Sequence, residues 1–132
     1  TTRDPMFKRI DHVEIIPKDT ERSLRFYCDI LGFTLTERIE VRMPPMKEVI
    51  YARLGDTVIE FVSVDSPATP AENQWQAGFR AIALEVEDMV KAVAYLKAKG
   101  VGIHREPVDL GNSFRGEILD PDGLIIELRQ WK

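Results

Sequence analysis

The chain has 132 residues and a formal net charge of −4, enough length for one domain with a substantial buried core. Its 44% hydrophobic and 30% charged composition is that of a globular protein, and the acidic balance argues against nucleic acid or an anionic membrane as partner. No apolar run approaches the ~18 residues needed to cross a bilayer. Thr1 to Lys8 carries no apolar signal core, and the lone Cys28 excludes an intrachain disulfide. The expectation is a cytoplasmic protein acting on a small molecule.

Residues Arg9 to Ile16 alternate as a strand, Pro17 breaks it, and Asp19 or Thr20 can cap a helix. Leu24, Tyr27, Cys28 and Leu31 then fall at helical spacing, and Gly32 closes the helix. Cys28, within that stripe, reads as a small buried hydrophobe. Three strands follow over Phe33 to Ile39, Glu48 to Leu54 and Thr57 to Val64, with a tight turn at Gly55-Asp56. Met43-Pro44-Pro45-Met46 reads as a loop, because prolines do not sit inside a paired strand. A Pro-, Ala- and Ser-rich stretch from Asp65 to Ala77 marks a linker at about 66–77, between modules of about 9–65 and 78–131.

The same order then returns. Arg80 to Val86 is a strand, and Asp88 caps a helix with an apolar stripe of Met89, Ala92, Val93 and Leu96 that ends at Gly100. Val101 to Arg105, Ser113 to Leu119 and Leu124 to Arg129 complete the second trio. Asp19 aligns with Asp88, Gly32 with Gly100, and Val58-Ile59-Glu60-Phe61 with Ile125-Ile126-Glu127-Leu128. Two strand–helix–three-strand (βαβββ) units predict an α+β fold. Its roughly eight-stranded, curved mixed sheet would have helices outside and a concave ligand cup inside.

Strand parity puts His12, Glu14 and Ile16 on one face, opposite Val13 and Ile15, and groups Val58, Glu60 and Val62. The repeat carries Glu60 onto Glu127 and His12 onto Ala81, so a two-fold between modules would gather these four positions. An imidazole and two carboxylates in a partly buried cup call for a cation, and such a set suits Zn, Ni, Co, Mn or Fe(II). The alternative is a hydrogen-bonded core histidine, with the glutamates paired to arginines at the sheet rim. Glu14 and Glu85 share the inward parity. Two residues along a strand span ~6.6 Å, too far for either to replace a ligand unless the centre shifts.

"IDHVEIIPKDTERSLRFYCDILGF", "GDTVIEFV", "IALEVEDMVKAVAYLKAKGV" and "DPDGLIIEL", in register over about Arg9 to Leu128, resemble the vicinal oxygen chelate (glyoxalase / bleomycin-resistance / extradiol dioxygenase) superfamily. The resemblance places His12, Glu60 and Glu127 on three of that family's four metal-ligand positions and Ala81 on the fourth, usually histidine. It implies a divalent metal held by those three, with Glu60 or Glu127 as the proton-moving catalytic carboxylate. A homodimer is also implied, with each cup either inside one chain or built from exchanged modules. His104, the repeat counterpart of Thr36, and Arg115 are the candidate substrate-binding residues. Each also reads as a surface group, His104 as a solvated edge histidine and Arg115 as half of a salt bridge. Glu117 faces the cup by the same parity, and Trp75 in the linker suits a lid or a dimer contact.

Three function classes follow from that resemblance. The first is a metal-assisted lyase or isomerase, of the glyoxalase I or methylmalonyl-CoA epimerase kind, moving a proton next to a carbonyl. The second is a metal-free small-molecule-binding or resistance protein. The third, an Fe(II) extradiol-type dioxygenase, is disfavoured because those enzymes generally need the histidine that Ala81 replaces.

Overall fold

The computed structural model describes residues 6–70 and 74–132, so three positions of the expected linker, 71–73, lie outside the described residues. Both βαβββ units are present. The first runs β1 (Val13–Ile15), α1 (Thr20–Leu24), β2 (Thr34–Met43), β3 (Met46–Leu54) and β4 (Thr57–Val64). The second runs β5 (Ala81–Glu85), α2 (Met89–Ala98), β6 (Ile103–Asp109), β7 (Ser113–Leu119) and β8 (Ile125–Trp131). The eight strands divide into two four-stranded mixed sheets, ordered β1-β4-β3-β2 and β5-β8-β7-β6, with a parallel pair at β1–β4 and at β5–β8.

Local chemistry explains the element ends. The Asp19 carboxylate accepts the Arg22 N–H at 3.1 Å, and Asp88 does the same for Lys91 at 3.0 Å, so both helices start on an aspartate cap. α2 ends where Gly100 takes φ +81°, with Gly100 N–H donating to Lys97 O and Val101 N–H to Leu96 O. α1 continues as a wider π-helical segment over Arg25–Ile30, closed by the Leu31 N–H to Phe26 O bond at 3.0 Å. That winding turns Phe26 into the core beside Tyr27, a residue that a 3.6-residue period leaves out.

Two expectations are corrected. The Met43–Met46 segment is not a loop between separated strands. Pro44 and Pro45, joined by a cis peptide, form the turn itself, and Met43 pairs directly with Met46. The prolines escape the pairing constraint because they occupy only the turn. Similarly, β6 runs on to Asp109 through Pro107, which sits at a register shift on an edge strand and owes no ladder hydrogen bond.

A single apolar cluster joins the modules. Ile15, Ile50, Ile59 and Phe61 of the first sheet share it with Leu24 and Tyr27 of the first helical segment. Met89, Leu96, Ile118 and Ile126 of the second unit belong to the same cluster. Tyr27 lies at its centre, fully buried, in edge contact with Phe26, Phe33 and Phe61, its hydroxyl donating to Asp120 at 2.9 Å. Because side chains alternate along strands, the residues between these apolar ones, including Glu60 and Glu127, lie on the opposite face of each sheet. Each module therefore turns an apolar face to the shared core and a polar face away from it.

Candidate functional site

The first sheet's polar face is acidic. His12 immediately precedes β1, and the parallel register sets Glu14 directly beside Glu60 of β4. Tyr51 of β3 pairs with Glu60 on its other side. His12 Nδ1 bonds Asp11 at 2.8 Å, while Nε2 lies 3.3 Å from a Glu14 oxygen and 3.4 Å from Glu60 Oε1. Ligating atoms of His12, Glu14 and Glu60 all fall within 4.8 Å of one another. The Asp11 bond raises the imidazole above its usual range, and Glu14 and Glu60 act in the same direction against the effect of burial. Tyr51 is also raised, chiefly by its hydrogen bond to Glu60. His12 and Tyr51 also line an open groove of about 350 Å³, together with Asp11, Thr36, Glu37 and Ile39.

The second sheet's polar face is rich in arginine. Arg115 Nε donates to Glu127 Oε1 at 2.6 Å, and Arg129 Nη2 lies 3.0 Å from Oε2, so both oxygens of Glu127 are taken. Glu117, fully buried, is reached by Arg115 at 2.6 Å, by Arg80 and Arg105 each at 3.3 Å, and by His104 at 3.9 Å. Burial works to raise the Glu117 carboxyl, but Arg115 and Arg80 overcome it and hold the group below the usual carboxylate range. Trp75 lies under the Arg80 guanidinium, 4.8 Å from ring centroid to Cζ.

The structure thus brings His12 and Glu60 together, and Glu127 is not among the residues they gather. Ala81 and Ala83, the counterparts of His12 and Glu14, leave no donor beside Glu127 on β5. His104 and Arg115 sit near each other through Glu117, on the sheet that carries Glu127. Sequence reasoning set Glu14 aside on backbone spacing. Its flexible side chain returns toward His12, so the cluster is centred nearer β1 than the repeat implies. Tyr51 was also missed, although parity along β3 and the register with Glu60 would have located it.

Two four-stranded sheets, one with a compact His/Glu cluster and the other with a face rich in arginine, define a two-module α+β protein. The chain belongs to the Glyoxalase/Bleomycin resistance protein/Dioxygenase superfamily, whose model matches residues 9–128. It is 35% identical to the Escherichia coli protein YaeR, over 92% of this chain and 95% of that one. It is also 31% identical to human mitochondrial methylmalonyl-CoA epimerase, over 92% of this chain and 73% of that protein. A glyoxalase family protein from Enterococcus faecalis superposes with a TM-score of 0.79 at 27% identity, covering 95% and 99% of the two chains. Among the described residues no helix is long and apolar enough to cross a membrane.

Proposed function

We infer that the chain is a divalent-metal-assisted lyase or isomerase that moves a proton next to a carbonyl of a small molecule. The observation that carries this reading is the convergence of ligating atoms of His12, Glu14 and Glu60 within 4.8 Å of one another, with His12 also lining the groove. His12 and Glu60 are the two ligands common to the family pattern and this geometry, and Glu127 is the third by the family pattern. Zn, Ni, Co, Mn or Fe(II) suits such a nitrogen and oxygen donor set. Bound there, the cation would stabilise negative charge developing on a carbonyl oxygen.

The chain's own residues do the remaining work. Glu60 or Glu127 takes and returns the proton as a general base, and Glu60 is better placed because no guanidinium among the described residues holds its oxygens. Tyr51 orients Glu60 by hydrogen bonding. Arg115 and His104 serve the substrate from the second sheet. Similarity to the human epimerase supports a proton-transfer reaction. We read the protein as a cytoplasmic homodimer: β1 and β5 are edge strands of separate sheets, and the acidic face around Glu60 complements the arginine face around Glu127.

Metal analysis of protein purified without a chelating tag tests the reading. Stoichiometric metal in the wild type, lost in His12→Ala, is the expected result. No uptake after exposure to Ni, Co, Mn or Zn would sink the enzyme reading in favour of a metal-free binding protein. Ala81→His is expected to raise metal affinity, and unchanged affinity would show that position 81 does not adjoin the centre.

A further inference from the structure

The two repeat copies treat the same carboxylate differently. Glu127 is neutralised by Arg115 and Arg129, whereas Glu60, 8% exposed, has no arginine or lysine within ion-pair distance among the described residues. Its ion-pair contact is His12, and directly beside it in register stands Glu14, where the second copy has Ala83. Like charges facing each other on neighbouring strands are destabilising, and a buried carboxylate without a cation is costly. Asp11 adds a third carboxylate against one imidazole. Tyr51 gives Glu60 a hydrogen bond but no charge.

The imidazole carries a second, independent indication. Asp11 holds Nδ1 at 2.8 Å, leaving Nε2 directed at Glu14 and Glu60. A carboxylate on the far ring nitrogen is how metal-ligating histidines are oriented and made more basic toward the cation.

We propose that the divalent cation is held by His12, Glu14 and Glu60, all from the first module. Glu14 supplies the ligand that Ala81 lacks, and Glu127 remains with its arginines. The proposal rests on the metal-assisted reading above and changes its third ligand. Three ligands from one sheet leave positions open for substrate oxygens, as a catalytic centre requires.

Cobalt(II) titration of the tag-free full chain, read by its visible absorption and by competition with a chromophoric chelator, tests this. Glu14→Gln and Glu60→Gln should each weaken cobalt binding by more than the about tenfold typical of losing even a ligand-orienting residue, and Glu127→Gln by less than that. Glu14 is largely exposed, so its variant should melt like the wild type. Glu14→Gln binding cobalt as tightly as the wild type would overturn the proposal. So would Glu127→Gln weakening it as much as Glu60→Gln, an outcome that leaves the metal-assisted enzyme standing with the family's ligand set. A wild type that takes up no cobalt would overturn both.

Discussion

Replacing Tyr27 with alanine is expected to destabilise the protein by about 3–5 kcal/mol, the range for emptying an aromatic site in a packed core. Tyr27 is fully buried at the junction of both modules, touching three phenylalanine rings and bonding Asp120 across 93 positions of sequence. Against a typical total stability of about 5–15 kcal/mol, such a loss approaches unfolding. The melting midpoint should fall by roughly 10 °C or more. Tyr27→Phe separates the ring from the hydroxyl. It keeps the packing and leaves one Asp120 oxygen without its donor, a cost of about 1–3 kcal/mol. Burial raises the Asp120 carboxyl above its usual range, consistent with a site that water does not reach. A denaturant titration of the two variants checks the order, and a Tyr27→Ala protein as stable as Tyr27→Phe would show that the shared core is not centred there.

The second large effect is at Glu117. Glu117→Gln retains the volume but removes the one anion toward which Arg80, Arg105 and Arg115 converge. Breaking a buried ion pair from one side costs about 3–5 kcal/mol, and the lower end applies because the guanidiniums keep partial access to water. The pH dependence follows from the direction of the shift. Glu117 is held below its usual range when folded, so its stabilisation is fully present above the unfolded value and is lost as pH falls through the folded one. Wild type and Glu117→Gln should therefore differ most near neutrality, and the gap should narrow as the pH falls below the ordinary glutamate value. A gap in melting midpoint that does not narrow over that window would show that the arginines do not lower the Glu117 carboxyl in the folded protein.

The two sheets surround their equivalent glutamates differently. Sequence reading left open whether the inward glutamates meet a cation or pair with arginines. Glu127 pairs with arginines, and among the described residues Glu60 does not. Position in the repeat is identical for the two. What separates them is the cross-strand neighbours: Arg129 lies two places along β8 from Glu127, and Arg115 faces Arg129 from β7. In the first sheet the corresponding places hold Val62 and Val49, which carry no charge.

Much of this protein was determined by the sequence alone. Asp19 and Asp88 set the helix starts, Gly100 stops the second helix, and period-two alternation assigns Glu60 and Glu127 to the faces opposite the apolar residues. These are local effects, acting within one or two turns or along one strand. The family likewise followed from motifs in register across both modules. Three features depended on tertiary structure. The extra winding after Leu24 brings Phe26 inward, the side chain of Glu14 reaches back to His12, and the shared core leaves each polar face with its own set of charges. Each depends on groups brought together by packing and strand register, and a one-dimensional pattern carries no measure of their separation.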